Sequence, residues 1–254
     1  MLFFLPSLEI LVTYTCVSIY LHKATNFVPK MKKQALFKTL LYLLLFGFFL
    51  LMLQITLYYI DFDMNAAFLR IKQWTFRKYP GTLGAIWITS FFIHALTSIF
   101  ALLAGFTQFN RRFIQNKWHR YMGIFYIIVV LFLSAPSGLI MSFFANGGIT
   151  SMAGFFILSC LWIFTTYMAY IKASQKDYPS HAKWMYRSYA LCLSAITLRI
   201  YKYAYVNWID PEMDFLGPMD LYRIIAWMGW VPNLIVAEYL IFKQNHLQLL
   251  KRNH

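Results

Sequence analysis

The chain has 254 residues, of which 60% are hydrophobic and only 13% are charged, and its mean hydropathy is +0.55. A soluble fold of this size needs more charge to cover its surface, so the composition excludes a soluble domain and indicates an integral membrane protein. The net charge of +14 does not indicate a nucleic-acid partner, because the basic residues form short clusters between apolar runs. Such clusters are typical of loops that face anionic lipid headgroups.

Apolar segments of about 20 residues can cross the hydrocarbon core, where the backbone must satisfy its own hydrogen bonds as a helix. Seven predicted transmembrane helices cover approximately residues 2–21, 39–60, 83–107, 121–144, 152–171, 185–207 and 221–242. The first lacks a basic start and a small-residue cleavage site, so we expect a retained span rather than a signal peptide. The prediction is an all-α polytopic bundle that forms one integral membrane domain over residues 1–254.

Lysine and arginine are distributed unequally between alternate loops. The loops after the first, third and fifth spans, together with the C-terminal tail, hold sixteen of them, whereas the opposite side holds four, all between the second and third spans. Because basic residues are retained on the cytoplasmic side, the N-terminus is predicted outside and the C-terminus in the cytoplasm.

His94 lies on the third predicted helix, in the stretch Ile88–Leu103 and about a third of the way along it from the outer end. A buried imidazole is unfavourable unless it is hydrogen-bonded or ligates a metal. The functional interpretations are an axial haem ligand, a proton carrier or a contact to a quinone. The structural alternative is a hydrogen bond between helices to a serine or threonine.

His119 and His181 each open a predicted helix at the cytoplasmic boundary, in similar local sequences that also contain Trp, Met and basic residues. Two imidazoles at one depth on different helices can ligate one haem iron or another metal ion. Helix N-termini with Arg120, Lys183 and Arg187 nearby would also attract an anion. The structural alternative is a pair of His–Trp anchors at the headgroups.

Arg199 lies inside the sixth predicted helix, about eight residues from its outer end, whereas Lys202 is one turn further out and can snorkel. An arginine at this depth normally faces a partner inside the bundle. The candidates are Glu9 on the first span, a haem propionate or an anionic substrate, and a pair with Glu9 would be purely structural. Because His94 lies at similar depth, we expect Arg199 and His94 to share an outer polar pocket.

Kinks are predicted at two prolines, Pro136 in the fourth span and Pro232 in the seventh. Gly105 and Gly123 are predicted to permit close approach of neighbouring helices. The three cysteines have neither metal nor redox spacing, so we expect them to be small buried apolar residues.

Several short motifs occur between His94 and Arg199. They are His94 with Gly105 and Gln108, His119-Arg120-x-x-Gly123, Ala135-Pro136-Ser137-Gly138, Asn146-Gly147-Gly148, His181-x-x-Trp184-Met185-x-Arg187-Ser188-Tyr189 and Thr197-Leu198-Arg199. Together they resemble a bacterial membrane protein family known as domain of unknown function 2306, over a little under half of the chain. The resemblance implies a multi-span protein of the bacterial cytoplasmic (inner) membrane and implies no activity.

The string Trp118-His119-x-x-x-Gly123 is also similar to a helix start in transmembrane di-haem b cytochromes of the ascorbate-reducible kind. That likeness would imply histidines on four successive helices that hold two haems. The chain departs from the pattern, because it offers three such histidines and only His119 and His181 match in depth.

Three functional hypotheses follow from the polar residues. The first is an electron-transfer protein that binds haem b or a quinone, with His119 and His181 as iron or metal ligands and His94, Arg199, Arg120 and Arg187 contacting the cofactor. The second is a protein that binds or moves a small anion or a lipid. The third is an accessory subunit of a larger membrane complex, in which these residues only fix the helix register.

Overall fold

The computed structural model describes residues 33–62, 69, 72–73, 81–108 and 116–252. The chain divides into two compact units, Met1–Gly47 and Phe48–His254. The first unit is described only over residues 33–47, which are helical. The predicted first span and Glu9 lie outside the described residues.

The described part of the chain is helical and contains no strand, which confirms the all-α prediction. Its helices are α1 (Lys33–Leu57), α2 (Thr82–Gln108), α3 (Lys117–Ser142), α4 (Ile149–Ser174), α5 (Tyr178–Cys192), α6 (Ser194–Ala204), α7 (Pro218–Met228) and α8 (Val231–Arg252). Within the described ranges, four segments are long and apolar enough to cross a membrane: α2, α3, α4 and the stretch Pro218–Asn245. They coincide with the third, fourth, fifth and seventh predicted spans.

The predicted sixth span differs most from the structure. Helix α5 begins at Tyr178 rather than near residue 185, the helix is interrupted at Leu193, and α6 continues into a π-helical turn over Tyr205–Ile209. Asp177 caps α5 by accepting a hydrogen bond from the Ser180 amide at 3.2 Å. Hydropathy alone misses this start because the first two turns of α5 are polar.

Irregular backbone lies next to both of the prolines at which kinks are predicted. Pro136 has no amide hydrogen to donate to the preceding turn, and a π-helical segment, Val129–Ser134, lies immediately before it in α3. In the C-terminal span the helix is interrupted at Gly229 and Trp230, and Pro232 lies in the first turn of α8.

The outward faces of these helices are apolar. Phe132, Ile149 and Ile235 are 72%, 83% and 63% exposed, which would be unfavourable in water at roughly 25 cal/mol per Å² of apolar surface. In a bilayer the same faces contact lipid tails without this penalty. The buried core between α2, α3, α4 and α5 contains small residues such as Ala104 and Ala169.

Two glycines on α2 and α3 hold these helices close to bulky partners. A Cβ atom at Gly105 would lie 2.0 Å from Cε2 of Tyr189 on α5, and one at Gly123 would lie 3.1 Å from Oε1 of Gln108 on α2. Both glycines thus leave room for a side chain of a neighbouring helix, and close approach of the helices themselves stays a prediction.

Candidate functional site

His94 is anchored to the irregular part of α3. Its Nδ1 atom lies 2.8 Å from the carbonyl oxygen of Ser134, and a carbonyl can only accept. Nδ1 therefore carries the hydrogen, and in the neutral ring Nε2 keeps its lone pair. No described residue forms a hydrogen bond with Nε2. The predicted structural alternative, a bond to a serine on another helix, thus exists but occupies only one of the two ring nitrogens.

His94 packs against the segment of α3 around Pro136. A Cβ atom at Gly138 would lie 3.1 Å from both Cε1 and Nδ1 of His94, so only glycine leaves the ring its present position. The Ser134 hydroxyl is held separately, 2.8 Å from the hydroxyl of Thr97, one turn along α2 from His94. The motif Ala135-Pro136-Ser137-Gly138 therefore positions one imidazole through backbone geometry.

Arg199 on α6 lies close enough to His94 and to Tyr59 to interact electrostatically with both. Its Nη1 donates to the Ala195 carbonyl of its own helix at 2.7 Å, and its side chain stays accessible. None of the acidic residues in the described ranges pairs with Arg199. Arg199 and His94 are thus within electrostatic range of each other, and the predicted alternative partner Glu9 lies outside the described residues.

An open apolar groove lies along α2, and Ile93, the neighbour of His94 in the chain, is one of its lining residues. Its lining residues are Phe62, Ile88, Thr89, Phe92, Ile93, Leu96 and Thr97. Thr97 belongs both to the groove and to the hydrogen-bonded contact with Ser134. Thr97 thus connects the groove to Ser134, whose carbonyl oxygen holds His94. We call His94, Arg199, Tyr59 and this groove the outer pocket.

His119 and His181 lie within electrostatic range of each other. The Nδ1 atom of His181 donates to the Ala169 carbonyl of α4 at 2.8 Å, so its Nε2 keeps a lone pair. The Nδ1 atom of His119 is buried without a hydrogen-bond partner among the described residues. We call these two residues the histidine pair.

A buried hydrogen-bonded cluster lies between the histidine pair and the C-terminal half of α3, and the sequence analysis missed it. Tyr126 lies 2.8 Å from Ser188, Ser188 lies 2.6 Å from Thr166, and Thr166 donates to the Trp162 carbonyl at 2.7 Å. The Trp162 indole donates back to the Tyr126 hydroxyl at 3.2 Å. Because the chain of donors begins and ends on Trp162, every group is satisfied and the cluster clamps α3, α4 and α5 together.

Arg187 is engaged in structural contacts. Its Nε and Nη2 atoms donate to the two carboxylate oxygens of Glu238 on α8 at 2.5 and 2.9 Å, and its guanidinium lies 4.6 Å from the centroid of the Trp184 ring. This bidentate pair links α5 to α8. The side chain of Arg120 is exposed at the start of α3.

Lys72 is a buried cation that sequence reasoning did not single out. Its side chain is 2% exposed, and its Nζ donates to the Phe144 carbonyl at 2.5 Å and to Oδ1 of Asn146 at 2.8 Å. The ammonium also lies 5.7 Å from the centroid of the Trp87 ring. Burial lowers the pKa of Lys72 to about 8. The only available sequence signal was Asn146 in the Asn-Gly-Gly motif.

The number of metal-ligating side chains that lie together limits the kind of metal site that the described residues can form. In the part of the chain that the structure describes, no group of three or more His, Cys, Asp or Glu side chains could hold a metal ion. The histidine pair can thus supply two protein ligands. Cys160 and Cys192 are free thiols.

Comparison with known proteins places these features in a family. A family model described as "Predicted membrane protein (DUF2306)" matches residues 91–241, which include the three histidines, Arg199 and Arg187. No curated protein and no solved structure matches the chain. Since the family model matches more than half of the 254 residues, the chain belongs to the DUF2306 family of membrane proteins.

Proposed function

We propose that this membrane protein is an electron-transfer protein of the bacterial inner membrane that binds a quinone or quinol in the outer pocket. The proposal includes the single seven-span domain over residues 1–254, with the N-terminus outside and the C-terminus in the cytoplasm. It is supported by the apolar helices, the distribution of basic loops and the family match to residues 91–241.

One observation carries the proposal: the outer pocket offers an acceptor and a donor that neighbouring residues leave available. His94 presents the Nε2 lone pair because Ser134 fixes the proton on Nδ1. Arg199 presents guanidinium hydrogens beyond the one that it gives to Ala195. A quinol matches both, since its hydroxyl donates to Nε2 while an oxygen of the same ring system accepts from Arg199.

The acceptor on His94 favours a quinol over a small anion. An anionic oxygen cannot donate to the Nε2 lone pair, so an anion could contact Nε2 only after protonation of His94, whereas Arg199 alone could hold it. A quinol needs no such step, and transfer of its hydroxyl proton to Nε2 would make it easier to oxidise. The apolar groove, with residues such as Phe92 and Leu96, offers a surface of the right chemistry for an isoprenoid tail.

Binding measurements on the purified protein in detergent test this proposal. Decyl-ubiquinol is titrated while tryptophan fluorescence is followed, with the wild type compared with His94→Gln and Arg199→Gln. Loss of the hydrogen bond from the charged Arg199 costs about 1.5–3 kcal/mol, so Arg199→Gln should bind roughly 10–100-fold more weakly. Loss of the neutral hydrogen bond to His94 costs about 0.5–1.5 kcal/mol, so His94→Gln should bind roughly 2–10-fold more weakly. Lys202→Gln is the matched control, because Lys202 is an exposed cation one turn from Arg199 and should leave the affinity unchanged.

The alternatives give different results in the same assay. A pocket for small anions or lipids would bind oleate, lose it in Arg199→Gln and show no affinity for decyl-ubiquinol. An accessory subunit would bind neither probe. Equal affinity of wild type and both pocket variants for decyl-ubiquinol would refute the proposed site.

A further inference from the structure

The histidine pair is placed by helix geometry that can be traced to a direct contact. Tyr126 on α3 and Ser188 on α5 meet through a 2.8 Å hydrogen bond, and both are fully buried. His119 precedes Tyr126 by seven residues, and His181 precedes Ser188 by seven. Residues seven apart lie two turns apart on the same helix face. The two imidazoles therefore project from the facing sides of α3 and α5, two turns from a fixed contact, which agrees with their electrostatic proximity.

Only one of the four ring nitrogens of this pair has a hydrogen-bond partner among the described residues. The Ala169 carbonyl holds the Nδ1 hydrogen of His181, an arrangement that fixes the tautomer and leaves Nε2 as a ligand. His119 has a buried Nδ1 with no partner among the described residues. An unpaired buried polar atom is unfavourable by about 1–3 kcal/mol, so His119 lacks a structural explanation.

We propose that His119 and His181 together ligate one transition-metal centre at this end of the bundle, with the iron of a b-type haem as its first candidate. The number of donors favours haem. A free zinc ion usually takes three or four protein ligands, whereas the porphyrin supplies four of the six iron ligands and leaves two axial positions. Two imidazoles from facing helices, with no third ligand in the described ranges, match the axial demand.

The surrounding charges fit the same group. Arg120 follows His119 directly, Lys183 lies two residues beyond His181, and both histidines occupy the first turn of their helices. Basic side chains and helix N-termini disfavour a bare cation but favour carboxylates such as haem propionates. The metal centre does not depend on the quinol pocket, although together the two would form a redox pair.

The test compares four forms of the full chain, expressed with added iron and a haem precursor and purified in detergent. The wild type, His119→Ala, His181→Ala and His94→Gln are each measured by absorbance, by a pyridine haemochrome assay and by elemental analysis for iron, zinc and copper. The wild type should show a Soret band and about one haem per chain. Both alanine variants should contain at most about a tenth of the wild-type haem per chain. His94→Gln should contain as much haem as the wild type, because His94 belongs to the outer pocket.

The outcomes separate haem from a free ion and this proposal from the quinol proposal. Metal that is bound without a Soret band, and is lost in both alanine variants, would assign a free ion to the same pair. Absence of haem and metal from a wild type that elutes as a single folded species would overturn the proposal, as would undiminished metal in both alanine variants. Decyl-ubiquinol binding that survives in His119→Ala while metal is lost would show that the two sites are separable.

Discussion

Replacement of Gly105 by alanine tests the described glycine whose added Cβ atom would lie nearest to another side chain. The added Cβ atom would lie 2.0 and 2.3 Å from two ring carbons of Tyr189, whereas ordinary carbon contacts begin near 3.4 Å. Tyr189 is 6% exposed and its hydroxyl donates to the Leu102 carbonyl at 3.2 Å, so the ring is packed on one side and tethered at its tip. The helices must therefore separate or the tether must break.

The expected loss of stability in Gly105→Ala has two contributions, overpacking and a lost hydrogen bond. Overpacking in a filled core costs typically about 1–3 kcal/mol, and the lost hydrogen bond adds about 1 kcal/mol. We expect Gly105→Ala to lower the free energy of unfolding by about 2–4 kcal/mol, which corresponds to roughly 5–15 °C in Tm for a chain of this size. Gly47→Ala is the matched control, because no described atom lies within 4 Å of its added Cβ. That change should be neutral or stabilise α1 by about 0.5–1 kcal/mol.

A thiol-reactive fluorescent dye provides the assay, since Cys192 is buried and becomes reactive as the bundle unfolds. Tyr189→Ala removes the ring that the new methyl group would strike, so the double variant should lose less than the sum of the two single losses. Strictly additive losses, or a Gly105→Ala protein as stable as the wild type, would show that α2 and α5 do not approach as described.

Two further predictions concern buried polar groups. Burial lowers the pKa of Lys72 to about 8, whereas an unfolded lysine titrates near 10.4. Between these values the unfolded chain binds more protons, so stability should rise as pH increases from about 8 to about 10; a Tm rise equally steep in Lys72→Met would contradict this. Thr166→Val removes a hydroxyl that lies 2.6 Å from Ser188, which should cost about 1–3 kcal/mol in dye-monitored unfolding. Thr165→Val should cost less, since the Thr165 hydroxyl bonds only its own helix, and equal losses would argue against the interhelical cluster.

The sequence predicted features that depend on depth along a helix. His94 and Arg199 were expected in one pocket because both lie at similar distance from a predicted membrane boundary, and the structure brings them into electrostatic range. Pro136 was expected to disturb α3 because proline cannot donate a backbone hydrogen bond, and the π-helical segment lies directly before it. Such features need only the rise per residue and the chemistry of one side chain.

Contacts that depend on how helices rotate against each other could not be predicted. The pairing of Arg187 with Glu238 joins residues 51 positions apart, and each had another plausible partner at the headgroups. Lys72 donates a hydrogen bond to the backbone carbonyl of Phe144, and a backbone carbonyl cannot be recognised as a partner from the sequence. Tyr126 was overlooked because a tyrosine in an apolar helix is ordinary until its hydroxyl partners on other helices are known.

Packing explains most of the residues that carry the family resemblance. The exceptions are residues with a side-chain nitrogen that has no partner in the described ranges. Gly105 packs against Tyr189, Gly138 packs against His94, and Ser188 forms a hydrogen bond with Tyr126.

The exceptions are the three histidines and Arg199, each of which keeps at least one nitrogen without a partner in the described ranges. A bundle that needed these side chains only to fix helix register would satisfy them internally, because an unpaired polar group inside a membrane protein is unfavourable. The close packing holds these nitrogens in place, and their unused bonding capacity is what a ligand would complete.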